Sequence, residues 1–130
     1  MFVLDTNTLI YFFKGQGRVA ENFLQQSPQE IGIPAVVLYE LQVGILKSTF
    51  PEKRRQQLAE LIAVVTILSF GQVESEVAAR IRTNLERQGQ PIGPYDILIA
   101  ATALAAKGTL VTHNIGEFGR IENLSLVDWY

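Results

Sequence analysis

The chain holds three aspartates, Asp5, Asp96 and Asp128, and the first two stand where a purely structural role is hard to defend. Asp5 ends the apolar run Phe2-Val3-Leu4, and Asp96 lies inside the most apolar stretch of the chain, Pro94 to Lys107. A buried carboxylate costs several kcal/mol unless a partner or a metal compensates it. Glu40 is a third candidate, because Val36, Val37, Leu38, Leu41 and Val43 surround it. Asn114 and Glu117 are a fourth, an amide and an acid three residues apart that one helical turn would aim at the same cation. Brought together, these groups repel one another, and Mg²⁺ or Mn²⁺ would neutralise them. An ion held by carboxylates suits phosphoryl and phosphodiester chemistry, where it activates water and offsets charge on the transferring phosphate. Two plainer readings stay open: Asp5 as a cap joining a strand to a helix, and Asp96 as an acid complementing a helix dipole.

Other chemistries fit less well. With no cysteine and a single histidine, His113, there is no thiolate zinc site, disulfide or histidine cluster, so a metal must take oxygen ligands. Gly15-Gln16-Gly17-Arg18-Val19-Ala20 has dinucleotide-fingerprint spacing but follows a predicted helix, and no ribose-binding acid ends the next strand. A phospho-aspartate enzyme would want an acid two residues after Asp5, where Asn7 stands. His113 lacks a serine partner in a nucleophile elbow, and reads as a substrate contact or strand-end polar residue rather than a general base.

The elements that must position these groups alternate. Strands are predicted at Phe2 to Leu4, Glu30 to Ile33, Thr66 to Leu68, Thr109 to Thr112 and Leu124 to Val127. Thr6-Asn7-Thr8 offers caps for a helix over Leu9 to Phe13 that stops at Gly15, and a second helix covers Arg18 to Gln26. Pro34 suits the first turn of a helix running to Lys47, and Pro51 starts another with Leu58, Leu61, Ile62 and Val65 as its apolar stripe. From Gln72 to Gln88, Val73, Val77, Ile81 and Leu85 recur every four residues, with Glu76 and Arg80 paired on the wet side. Pro94 to Lys107 is the central buried helix, its alanines allowing close approach. The pattern predicts an α/β fold with a central parallel sheet of about five short strands flanked by helices. Ligands of such sheets gather beyond the carboxyl ends of the strands, where Asp5 stands.

At 130 residues, 48% hydrophobic and 18% charged, the chain is expected to be one domain spanning residues 1–130, which excludes wholesale disorder. No run reaches the roughly 20 apolar residues that span a bilayer and no signal peptide is evident, so a cytoplasmic protein without membrane contact is expected. A net charge of −2 matches a polyanion poorly, so nucleic acid would need local basic patches, bound cations or a second copy of the chain. Lys47, Lys53, Arg54 and Arg55 form one basic group, and Arg80, Arg82 and Arg87 another. Among them Lys47, Arg54, Arg55 and Arg82 are weak candidates for RNA contacts.

Four segments together resemble the PIN-domain ribonucleases, and more narrowly the VapC-type toxins: Met1 to Tyr11 around Asp5-Thr6-Asn7, Val37-Leu38-Tyr39-Glu40-Leu41, Ile92 to Thr102 around Gly93-Pro94-Tyr95-Asp96, and Val111 to Phe118. The resemblance implies a PIN-like fold and a Mg²⁺- or Mn²⁺-dependent endoribonuclease. Its acidic centre would be Asp5, Glu40 and Asp96 with a fourth group from the last motif, and its products a 5′-phosphate and a 3′-hydroxyl. PIN domains often carry an aspartate where this chain has Asn114, which keeps an oxygen but loses the charge, so that Glu117 would complete the site. Thr6, Asn7, Thr112 and Asn114 would orient the carboxylates or a phosphate. The resemblance also implies a homodimer, a VapB-like antitoxin docked near the helix over Leu9 to Phe13, and a structured RNA substrate. The Gly-Pro-Tyr-Asp motif suggests a tRNA, in particular the anticodon stem-loop of initiator tRNA. The competing reading is a catalytically weak PIN-fold module that holds a cation or a basic peptide.

Overall fold

The computed structural model describes all 130 residues. Five short strands, β1 (Phe2–Leu4), β2 (Ile31–Pro34), β3 (Thr66–Leu68), β4 (Thr109–Val111) and β5 (Ser125–Val127), form one parallel sheet in the order β3-β2-β1-β4-β5. The helices are α1 (Thr6–Lys14), α2 (Val19–Leu24), α3 (Ala35–Leu46), α4 (Pro51–Ile62), α5 (Gln72–Arg87), α6 (Pro94–Ala105) and α7 (Ile115–Phe118). The sheet is the expected α/β architecture, and its order decides where the site lies. From β1 the chain builds β2 and β3 outward on one side, then returns to lay β4 and β5 on the other. Because Leu4 pairs with Val111, the carboxyl ends of β1 and β4 stay level while their continuations diverge. That gap is the switch point at which parallel sheets bind ligands.

The inner strands are continuous apolar runs because both their faces are covered: Val3, Leu4, Ile31, Ile33, Leu110 and Val111 are all fully buried. Against them lies α6, burying Ile97 and the unbroken Ile99 to Ala103, whose alanines allow close approach. Its one buried hydroxyl, on Thr102, donates to the carbonyl of Leu98 at 2.8 Å. Gly108 admits β4 beside β1, since a Cβ there would lie 2.9 Å from the carbonyl oxygen of Met1.

Several boundaries differ from expectation for identifiable reasons. Helix α1 begins at Thr6 rather than Leu9, because the cap is Asp5, whose Oδ1 accepts from the Thr8 N–H at 2.9 Å. Pro34 ends β2 and caps α3 instead of occupying its first turn, and Val65 lies beyond the end of α4. On α5 the buried side is Ala78, Ile81 and Leu85, while Val73 is 60% exposed. In place of the expected Glu76–Arg80 pair, Arg82 meets Glu86 at 2.8 Å. A 3-10 turn at Pro28–Glu30 and the single-turn α7 were not foreseen as elements.

Candidate active site

Asp5 continues β1 by donating its N–H to the carbonyl of Val111 at 3.2 Å, then turns its carboxylate onto the start of α1. The cap reading and the site reading therefore coexist, with one oxygen spent on the helix. At 6% exposure, burial pushes the carboxyl above its ordinary range; hydrogen bonds from Thr112 and Thr8 oppose this, and the charge of Asp128 adds to it.

Asp96 is the third residue of α6, where the helix dipole would ordinarily favour the carboxylate. Its pKa is instead pushed up to about 6, first by burial and then by the negative charges of Asp5, Glu117 and Glu40 in that order. Asp5 after β1, Glu40 midway along α3 and Glu117 on α7 thus all lie near enough to Asp96 for their charges to oppose its ionisation. Glu40 is held in this group by Thr6, whose hydroxyl donates to Glu40 Oε1 at 2.7 Å and ties the start of α1 to α3.

Around Glu117 the sequence 112–117 folds on itself. The Asn114 N–H donates to Thr112 Oγ1 at 3.0 Å; Asn114 then caps α7 through Oδ1 on the Glu117 N–H (3.4 Å) and donates from Nδ2 to Glu117 Oε2 (3.1 Å). Asn114 thus positions the Glu117 carboxylate rather than standing beside it as a second acid. Asn7, on the exposed side of α1, has no side-chain hydrogen bond.

No three of these side chains converge tightly enough to cage a metal unaided. The donor set nevertheless fits Mg²⁺ or Mn²⁺, which take hard oxygen ligands, and Mg²⁺ commonly binds through one or two carboxylates plus water and substrate phosphates. Carboxylates already occupied by Thr6, Thr8 and Asn114, and mutually repelled, stand apart as this mode allows.

Residues overlooked in the sequence also lie here. Asp128 follows β5 as Asp5 follows β1, and its Oδ2 lies 2.8 Å from His113 Nδ1. The His113 ring stacks on Tyr130 (centroids 4.4 Å apart, 24° between planes), and Tyr11 packs edge-on against both. On the other flank, Tyr39 and Tyr95 precede Glu40 and Asp96 directly, with their rings 5.8 Å apart. The Tyr95 phenol is held above its ordinary range, chiefly by hydrogen bonding to Tyr39 and lastly by the charge of Glu40. Their adjacency to the acids in sequence was the available signal.

Of the four basic candidates, Arg55 is paired with Glu52 at 2.6 Å and Arg82 with Glu86, whereas Lys47 is exposed just past α3. Arg54 lines a groove of about 260 Å³ together with Glu40, Ile10, Phe13, Lys14 and Leu41, between α1, α3 and α4. No helix is long and apolar enough to cross a membrane.

Compared with known proteins, residues 2–124 match the family model of the PIN domain. The chain is 37% identical to ribonuclease VapC2 of Rickettsia felis, an alignment covering 99% of this chain and 98% of that one. It is 31% identical to the tRNA(fMet)-specific endonuclease VapC of Shigella flexneri, over 98% and 97% of the two chains. A chain in the crystal structure of Rickettsia felis VapBC2 bound to a promoter DNA fragment superposes with a TM-score of 0.92 at 36% identity, covering 99% of this chain and 98% of that one.

Proposed function

The chain belongs to the PIN-domain family, among its VapC ribonucleases, and on that premise we propose that it is an endoribonuclease acting as the toxin of a toxin–antitoxin pair. The observation that carries the assignment of its centre is the Asp96 carboxyl, raised first by burial and then by the charges of three other acids drawn from distant parts of the chain.

Asp5, Asp96 and Glu40 would hold Mg²⁺ or Mn²⁺, with Glu117 as the fourth acid and the Asn114 oxygen turned to the helix cap. A divalent cation bound there supplies positive charge against a phosphodiester transition state and acidifies the attacking water. The protein's own part is orientation. Thr6 fixes Glu40, Asn114 fixes Glu117, and the α1 cap together with Thr112 fixes Asp5. Asp96 must lose its proton before it can ligate, and proximity to a cation favours that loss. Water then attacks phosphorus in line with the departing 3′-oxygen, leaving a 5′-phosphate and a 3′-hydroxyl. The charge of Glu117 reaches Asp96 together with those of Asp5 and Glu40, which supports counting Glu117 as the fourth acid of the centre.

The substrate is a structured RNA, with a tRNA first in line, in keeping with the Shigella flexneri relative's name, and the anticodon stem-loop of the initiator tRNA is the site that the Gly-Pro-Tyr-Asp motif suggests. The groove between α1, α3 and α4 would receive the tail of a VapB-like antitoxin, whose basic side chain reaching Glu40 competes with the metal. The toxin would act as a homodimer in the cytoplasm. Incubating purified protein with total tRNA and Mg²⁺ or Mn²⁺, beside Asp5→Asn, and mapping new 5′ ends tests the reading. It expects one discrete cut in the wild type alone; cleavage retained by Asp5→Asn refutes the site.

A further inference from the structure

The acidic centre is bordered on both sides by solvent-facing aromatic pairs that the chemistry above does not use. On the β2 side, Tyr39 and Tyr95 are 50% and 44% exposed, each fixed one residue before a site acid. On the β4–β5 side, His113 and the 47% exposed Tyr130 stack on each other. That second face is immobilised from below. The Arg18 N–H donates to the Tyr130 carbonyl at 2.8 Å, Asp128 Oδ1 accepts from the Tyr130 N–H at 2.9 Å, and Gly17 lies so close that a Cβ would meet Tyr130 O at 2.7 Å. Trp129 is buried against Phe2, with ring centroids 5.2 Å apart, and anchors the same segment. Asp128 links this face to the centre, because its charge is felt by Asp5.

Resting on the ribonuclease reading above, we propose that these two faces, Tyr39 with Tyr95 and His113 with Tyr130, stack the nucleobases on either side of the scissile phosphate, so that the enzyme takes unpaired, splayed RNA. Tyr39, with Tyr95 against it, lies on α3, the helix that follows β2, whereas His113 and Tyr130 follow β4 and β5 across β1, whose end carries Asp5, so a strand crossing the acids meets one face before the cut and the other after it. Aromatic rings held in place bind bases without ordering flexible side chains, and they accept any base because every base has a π-face. The charge distribution calls for such contacts. The chain carries a net charge of −2, and two of its four basic candidates, Arg55 and Arg82, are already paired to acids, so base stacking would add to what phosphate contacts supply.

The test uses the full chain and a stem-loop RNA cut at one mapped position, carrying 2-aminopurine on one side of the cut or the other. In the inactive Asp5→Asn background, binding is expected to quench both probes. Tyr39→Leu with Tyr95→Leu should abolish quenching on one side only, and His113→Leu with Tyr130→Leu on the other, each weakening binding on the order of tenfold. Tyr39→Phe with Tyr95→Phe should keep the quenching. In the active background the same Leu pairs should raise KM with little change in kcat, and a duplex of the same sequence should resist cleavage. Leucine keeps apolar bulk without a π-face; should a pair fail to fold by circular dichroism, its two single Leu variants replace it. Unchanged quenching and KM in folded Leu variants overturns the proposal while cleavage by the wild type keeps the ribonuclease reading intact. Equal cleavage of the duplex overturns it too, as does loss of antitoxin binding without loss of RNA binding. If inhibitor-free wild type with metal cuts no RNA at all, the ribonuclease reading fails and this one falls with it.

Discussion

An aspartate in the first turn of a helix normally ionises easily, yet Asp96 resists ionisation until about pH 6 because burial and three neighbouring acids outweigh the helix dipole. Its proton is therefore retained on folding between its ordinary value of 3.8 and about 6. The metal-free fold binds more protons than the unfolded chain across that window, so this group makes stability fall as pH rises through it, with no further change above. Thermal unfolding in a chelator should show Asp96→Asn melting higher than wild type at pH 7, with the difference vanishing near pH 4. Added Mn²⁺ should raise the wild-type melting temperature at pH 7 and lose that effect as pH falls below about 6. Glu40 is a different case, since its position depends on one 2.7 Å bond from Thr6. Thr6→Val should lower kcat by roughly ten- to a hundredfold, the ~1.5–3 kcal/mol of one hydrogen bond to a charged group, with a circular dichroism spectrum like that of wild type. At this scale the sequence told a good deal: acids next to apolar neighbours are conspicuous. Asp128 and the tyrosines did leave a signal, the end of a strand and adjacency to site acids, but it acquires meaning only once the fold sets them beside Asp5, Glu40 and Asp96.

Among the elements, the β1–α1 junction joins a cap and a candidate catalytic acid in one side chain. Asp5→Asn keeps an oxygen for the Thr8 N–H, whereas Asp5→Ala loses both cap and charge. Denaturant unfolding should place Asp5→Ala about 1 kcal/mol below Asp5→Asn, although both lack activity. The turn between α1 and α2 offers a second measure. Gly17 has φ +61° and stands against Tyr130, so Gly17→Ala is strained in backbone and contact alike. It should cost about 1–3 kcal/mol in the same assay and raise KM for RNA, because the Tyr130 ring must move. Helices and strands were legible where composition is one-sided, as in β1, β3 and the predominantly apolar α6. They were illegible where one contact decides a boundary: the Asp5 cap sets the start of α1, and a bond between Thr112 and Asn114 opens the one-turn α7.

For the whole molecule, a slightly acidic surface implies that RNA is retained more by stacking than by counterion release. The logarithm of KM should rise with the logarithm of salt concentration at a slope of about 1–2, matching Lys47 and Arg54, the two of the four basic candidates that have no acidic partner. A slope several times steeper, measured between 50 and 200 mM salt, would mean that a larger phosphate-binding surface exists, drawn from the chain's other lysines and arginines or from a second copy of the chain. The sheet order has a further meaning for a cell that makes such a protein. Asp5 and Glu40 leave the ribosome early, but β1 gains its partner on one side only when β4 arrives, after more than a hundred further residues. An unfinished or prematurely terminated chain thus holds half of the acids and no crevice to gather them. On the proposed centre, nascent fragments would spare the RNA of the machine producing them until Asp96 and Glu117 have emerged from it and the sheet has closed.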